Sequence, residues 1–183
     1  MSVEPKRLAA VFFVPRMVQD PTIAQLLEWA GATDIRPPAT DDRSRLFDCH
    51  WAGMACKAYL DNQLYHHVLQ MYFFQSEFFD LIEDHGGDAL VQVFTRTVEA
   101  LQADAAFIAT HLDQAQRDRI LSLEPLVLGK DANGLSDQRF GLLYLDRRIG
   151  QHLDHHPLRD DRDTIQTASG ELFFAGRGDA RWF

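Results

Sequence analysis

Residues 46–74, LFDCHWAGMACKAYLDNQLYHHVLQMYFF, decide the fold. Three runs, Leu46–Trp51, Met54–Leu60 and Leu64–Phe74, are separated by the turn residues Ala52-Gly53 and Asp61-Asn62. Short runs rich in aromatic and apolar residues between such turns read as consecutive antiparallel strands. In the third run, alternation puts Tyr65, His67, Leu69, Met71 and Phe73 on one face. Leu64, His66, Val68, Gln70 and Tyr72 fall on the other, so only one of His66 and His67 is expected to face the core. A helix through 64–74 is the alternative for this run.

The flanking sequence fits the same scheme. Leu8–Val14, closed by Pro15, is a short continuous apolar run and reads as a buried strand. A helix follows, with Asp20 expected to cap it, Pro21 at its first position, and Ile23, Leu26, Leu27 and Ala30 in a stripe ended by Gly31. Residues 32–45, with Pro37-Pro38 and Asp41-Asp42, read as an exposed connector. Ser76 is expected to cap a helix that stops at Gly86-Gly87. Asp88 opens another that runs to about Ala103 with Leu90, Val93, Phe94, Thr97, Val98 and Leu101 inward. Further expected elements are a strand at Ala105–Thr110, a helix capped by Asp113 and ending near Leu123, and a strand at Leu126–Leu128. After a loop at Gly129–Gln138 come a strand at Phe140–Leu145 and a hairpin of Thr164–Ala168 with Glu171–Ala175. This order is neither a βαβ series nor an unbroken run of strands. The expected class is α+β, one domain over residues 1–183 with a mainly antiparallel sheet packed by several helices.

Composition narrows the function classes. A chain of 183 residues with 46% hydrophobic residues can bury a sizeable core, roughly 70% of its unfolded surface. Many of its 13 Phe occur as doublets (Phe12-Phe13, Phe73-Phe74, Phe78-Phe79, Phe173-Phe174), the pattern of segments buried on both faces. The net charge of −9 and the absence of a Lys/Arg cluster argue against nucleic-acid binding, which needs a basic surface. An acidic exterior suits a basic protein partner. The apolar part of the opening residues is too short for an export signal or a membrane span, so a cytoplasmic location is expected. A bridge between Cys49 and Cys56 is geometrically conceivable, but both are expected to be reduced, buried and apolar in role.

Chemical leads are few. QHLDHHP, residues 151–157, places His152, His155 and His156 on one face of a helix, where two of them could hold a transition metal with Asp154 or Asp160 as ligand or base. The competing reading is a polar helix end stopped by Pro157, with His near the C-terminal dipole. Cys49 and His50 are neighbours on a strand and point to opposite faces, so His50 cannot serve Cys49 as a base. No nucleotide-binding glycine motif or nucleophile elbow is present, and the sequence calls for no cofactor. The carboxylates Asp154, Asp160, Asp161 and Asp163 read as solvated surface, or as an acidic patch that meets a partner.

In size, acidity and α+β order, and in runs such as AVFFVP (residues 10–15) and GELFFAGRGDARWF (residues 170–183), the chain resembles the small immunity proteins encoded with bacterial polymorphic and contact-dependent toxins. That resemblance implies a non-catalytic protein that neutralises a cognate toxin by direct binding. The alternatives are a metal-dependent enzyme built on His152, His155 and His156, and a small-molecule-binding domain with an aromatic pocket drawn from Tyr65–Phe79.

Overall fold

The computed structural model describes residues 6–43, 45–110, 140–151, 162–178 and 182. The chain forms two compact units, Met1–Ala103 and Asp104–Phe183. The expected helix after Asp113, the strand at Leu126–Leu128 and the loop at Gly129–Gln138 lie outside the described residues. The class is α+β, and every strand pairing within each unit is antiparallel.

In the first unit β1 (Arg7–Pro15), β2 (Thr33–Arg36), β3 (Phe47–Trp51), β4 (Met54–Asn62) and β5 (His66–Phe74) form a sheet in the order β2-β3-β4-β5-β1. Residues 66–74 are therefore strand. β1 and β5 pair without a break from Arg7↔Phe74 to Pro15↔His66. The connector expected over 32–45 contains β2, whose Asp34 has a positive φ of 51° and whose register with β3 shifts between Thr33 and Arg36. Its four residues show no alternation to betray a strand, because three of them are exposed and the other is half-buried.

Helix α1 (Ile23–Trp29) does not use Asp20 as its cap. Thr22 is the N-cap: its hydroxyl accepts from Gln25 N–H at 3.2 Å, while the Gln25 side chain accepts from Thr22 N–H at 2.9 Å. This reciprocal box satisfies two backbone donors, one more than a lone capping side chain would. Helix α2 (Gln75–His85) likewise starts one residue before the expected Ser76 cap. Phe74 stands at its N-cap with no side-chain hydrogen bond, and Gln75 N–H donates to Lys6 O at 2.9 Å instead. Helix α3 (Gly87–Leu101) buries Leu90, Phe94, Thr97, Val98 and Leu101 as the periodicity requires, together with Val91; Val93 is only half-buried. Phe12, Trp51 and Phe94 meet at centroid separations of 5.6–5.9 Å, and Phe73 stacks on Phe78 at 6.2 Å. The Thr97 hydroxyl accepts from Trp51 Nε1 at 3.0 Å and lies within donating distance of Ala30 O (3.1 Å) and Val93 O (3.0 Å). One buried hydroxyl so links β3, the end of α1 and α3, and it satisfies the only polar atom of the tryptophan side chain.

The second unit contains β6 (Ala105–Thr110), β7 (Phe140–Asp146), the single-turn helix α4 (Arg147–Gly150), β8 (Thr164–Gln166) and β9 (Gly170–Phe174), with strand order β6-β7-β9-β8. β7 is buried over Phe140–Leu145 and β9 over its whole length, so Phe173 and Phe174 are both fully enclosed. Phe12 and Phe13 of β1 behave the same way, whereas Phe74 and Phe79 each remain 39% exposed. The doublet pattern thus marks two strands covered on both faces, and elsewhere the edge of a core. β8, the last strand in the order, is exposed at all three positions.

Gly170 is fixed by space. A Cβ there would collide with Leu145 O and lie 2.8 Å from the Tyr144 hydroxyl, which itself donates to Ser169 Oγ at 2.9 Å. The obstructing atom is backbone of the paired strand, so no rotamer change relieves it. Gly170→Ala is expected to destabilise the protein by about 3 kcal/mol, the cost of a forced backbone shift, as measured by urea denaturation.

Candidate functional site

Of the residues singled out in the sequence, His152, Asp154, His155, His156, Asp160 and Asp161 lie outside the described residues. Asp163 is described and half-buried. Its carboxylate accepts from Gly178 N–H at 3.0 Å, and its carbonyl accepts from Phe174 N–H at 3.0 Å, so it helps to close the chain around the β8–β9 hairpin. His50 points away from Cys49 as strand alternation demands; it is exposed and 3.3 Å from Asp34. Among the described residues no three His, Cys, Asp or Glu side chains come together in a way that could hold a metal.

The most organised polar cluster in the first unit surrounds His67. Strand alternation predicts only one buried histidine in the His66-His67 pair, yet both are buried. The reason is that β5 is covered on both faces at this end. His66 stands edge-on to Phe13 at 6.1 Å, while His67 enters a polar nest on the other side. His67 Nδ1 lies 2.6 Å from Asn62 Oδ1, and Nε2 lies 3.1 Å from Asp20 Oδ1. The Arg16 guanidinium is 3.4 Å from Asp20 Oδ2 and 3.5 Å from His67 Nδ1. Asp20 is used here and not on the helix. Both ring nitrogens of His67 are engaged by partners within the chain. The cluster is therefore a clamp between chain segments.

What it clamps is a pair of neighbouring turns. Arg16 N–H donates to Tyr65 O at 3.1 Å and Gln63 N–H to His66 O at 2.9 Å, which joins the exit of β1 to the β4–β5 turn. The residues next to the Arg16–Tyr65 bond along the chain, Met17, Val18 and Leu64, are exposed, as is Tyr65 itself, with Leu64 75% exposed. Sequence reasoning missed the group because Asp20-Pro21 reads equally well as a helix start and Asn62 as an ordinary turn residue.

Each unit also carries a hollow among the described residues. In the second unit Asp146, Arg147, Gly150, Gln151, Gln166, Gly170 and Glu171 line a polar hollow of about 230 Å³. Burial lifts the Asp146 carboxyl above its usual range, against the opposing pull of the Ile149 N–H at 2.8 Å and of Arg148. Buried Glu171 accepts from Gln166 Nε2 at 2.6 Å. Asp146 thus holds the start of α4 and Glu171 ties β9 to β8. In the first unit a groove of about 160 Å³ runs past Arg7, Asp48, Lys57, Tyr72 and Phe74. It includes part of the expected aromatic segment but is smaller than the pockets that enclose drug-sized ligands, ~300 Å³ and above.

Compared with known proteins, the chain matches no family model, no curated protein and no solved structure. Among the described residues no helix is long and apolar enough to cross a membrane.

Replacing His67 with Leu leaves Asn62 and Asp20 without their buried partner. The expected cost is about 1–3 kcal/mol, with faster amide exchange at Arg16 and Gln63. Asp146→Asn tests the second unit. The raised carboxyl holds its proton more tightly in the folded chain than in the unfolded one, so stability is lost as pH rises and the group ionises. Asparagine keeps the capping oxygen without that loss. The stability of Asp146→Asn relative to the parent should therefore climb with pH through the acid range and then level off, as followed by chemical denaturation at a series of pH values.

Proposed function

We propose that the protein is a non-catalytic, cytoplasmic binding protein of the immunity class, which neutralises a cognate bacterial toxin by direct contact. The observation that carries this reading is the clamped pair of turns. Met17, Val18, Leu64 and Tyr65 are all exposed on segments that the Arg16–Tyr65 bond and the His67–Asp20–Asn62–Arg16 cluster join. Preorganised turns lose little conformational freedom on binding, so apolar contacts made there contribute more of their area to affinity.

The chemistry of the partner follows from charge. The chain carries −9 overall, and half-exposed Asp20 and Asp61 stand at the same end of the sheet as the apolar turns. A basic surface with an apolar centre fits such a patch: the charges accelerate encounter and the apolar side chains hold the complex. Asp154, Asp160, Asp161 and Asp163 would add to the negative field that steers the partner.

The test is binding and neutralisation of a secreted protein with a toxic C-terminal domain encoded by an adjacent gene. Val18→Asp or Leu64→Asp is expected to weaken the complex at least about tenfold, or ~1.4 kcal/mol, with the fold intact by circular dichroism. The association rate should fall steeply with added salt. If the unaltered chain neither binds nor neutralises that protein, the immunity reading is wrong.

A further inference from the structure

Cys49 on β3 and Cys56 on β4 are direct cross-strand partners in a register that runs from Phe47↔Ala58 to Trp51↔Met54. The hairpin closes through Ala52 and Gly53, both with positive φ (53° and 82°), the geometry of a two-residue turn of the mirror-image type. Counting outward from Trp51↔Met54, the cysteines form the second pair along. By alternation that makes them a mutually hydrogen-bonded pair with Cα atoms about 5.5 Å apart, inside the span a disulfide requires. Both side chains lie on the core face with Trp51, Met54 and Ala58. Neither belongs to the clamped turns.

The thiols are not equivalent. Cys56 S–H has two acceptors, Met54 O at 3.3 Å and the Cys49 sulfur. That hydrogen bond from Cys56 holds the Cys49 thiol below its usual range in spite of burial and of Asp48. Donating it, together with burial, pushes the Cys56 thiol up. One sulfur is thus disposed to react as thiolate while its neighbour keeps a proton to deliver.

We infer that Cys49 and Cys56 are a covalent modification site, a thiol pair that a small hydroperoxide converts to an intramolecular disulfide. The Cys49 thiolate attacks the outer peroxide oxygen, the O–O bond breaks, and the alkoxide or hydroxide that leaves is protonated by solvent, which gives a sulfenic acid at Cys49. The Cys56 sulfur then attacks the Cys49 sulfur. The S–S bond forms, the S–O bond breaks, and the departing hydroxide takes the Cys56 proton to leave as water. The two thiols lose two electrons and the peroxide gains them. With the residues only 3 and 5% exposed, a bulky disulfide is excluded as oxidant and a molecule of peroxide size is required. The groove past Arg7, Asp48, Lys57, Tyr72 and Phe74 is lined by Cys56 as well, so a molecule of that size has an approach to the pair. A bridge across two fully paired strand positions is constrained, and constrained disulfides are the readily reduced ones.

The test uses the full chain. Trypsin leaves both cysteines in one peptide, Leu46–Lys57, so oxidation is read directly from its mass. After treatment of the folded protein with hydrogen peroxide and alkylation, that peptide is expected to carry no alkyl group and to weigh two hydrogens less than its reduced form. Dithiothreitol should restore both alkylation sites. Cys56→Ala, which also removes the hydrogen bond that favours the Cys49 thiolate, should react more slowly and stop at a Cys49 sulfenic acid trapped by dimedone, and Cys49→Ala should react more slowly still at Cys56. The inference is overturned if both thiols of the folded protein remain alkylatable after an exposure that oxidises the free peptide, or if one cysteine proceeds to sulfinic acid while the other stays free.

Discussion

The unbroken pairing of β1 with β5 is the constraint on which the first unit rests. Nine successive residues of each strand face one another. A slip of one position would turn Phe12 away from Trp51 and Phe94, and would carry His67 out of reach of the chain that leaves β1. The same register places Pro15 opposite His66, just where the ladder ends and the Arg16 N–H can reach the Tyr65 carbonyl. Apolar contact and polar clamp are therefore two results of one alignment. The Trp51–Thr97 hydrogen bond secures the helix-covered side, since an unmatched indole N–H there would carry a desolvation cost.

Most of the strand plan was legible because period two and turn residues are local signals. The hairpin through Ala52-Gly53, the continuous run of β1 and the apolar β7 all declared themselves in this way. What escaped was whatever depended on distant partners. β2 carries almost no buried side chain, so no periodicity marks it. The cap of α1 moved from Asp20 to Thr22 because Gln25 could complete a box there, while Asp20 found a better use opposite a histidine 47 positions away. The burial of both His66 and His67 was hidden for the same reason. Alternation says which face a side chain takes, not whether both faces are covered.

The candidate surface shows the limit from the other side. Met17, Val18, Leu64 and Tyr65 are unremarkable in the sequence, two in a loop and two before a strand. They become a group only when the chain brings residues 16 and 65 together. The histidine-rich segment of the sequence lies outside the described residues. The histidine beside this group, His67, is a single imidazole with both nitrogens spoken for.

The short outermost strand β8 has a consequence for life at high protein concentration. Its three residues end the strand order of the second unit and are open to water. A longer, flatter border would offer a row of free peptide groups onto which another molecule could zip. Three residues give such a chain too few rungs to hold, so a unit with Phe173 and Phe174 sealed one strand further in can stay apart from its own copies.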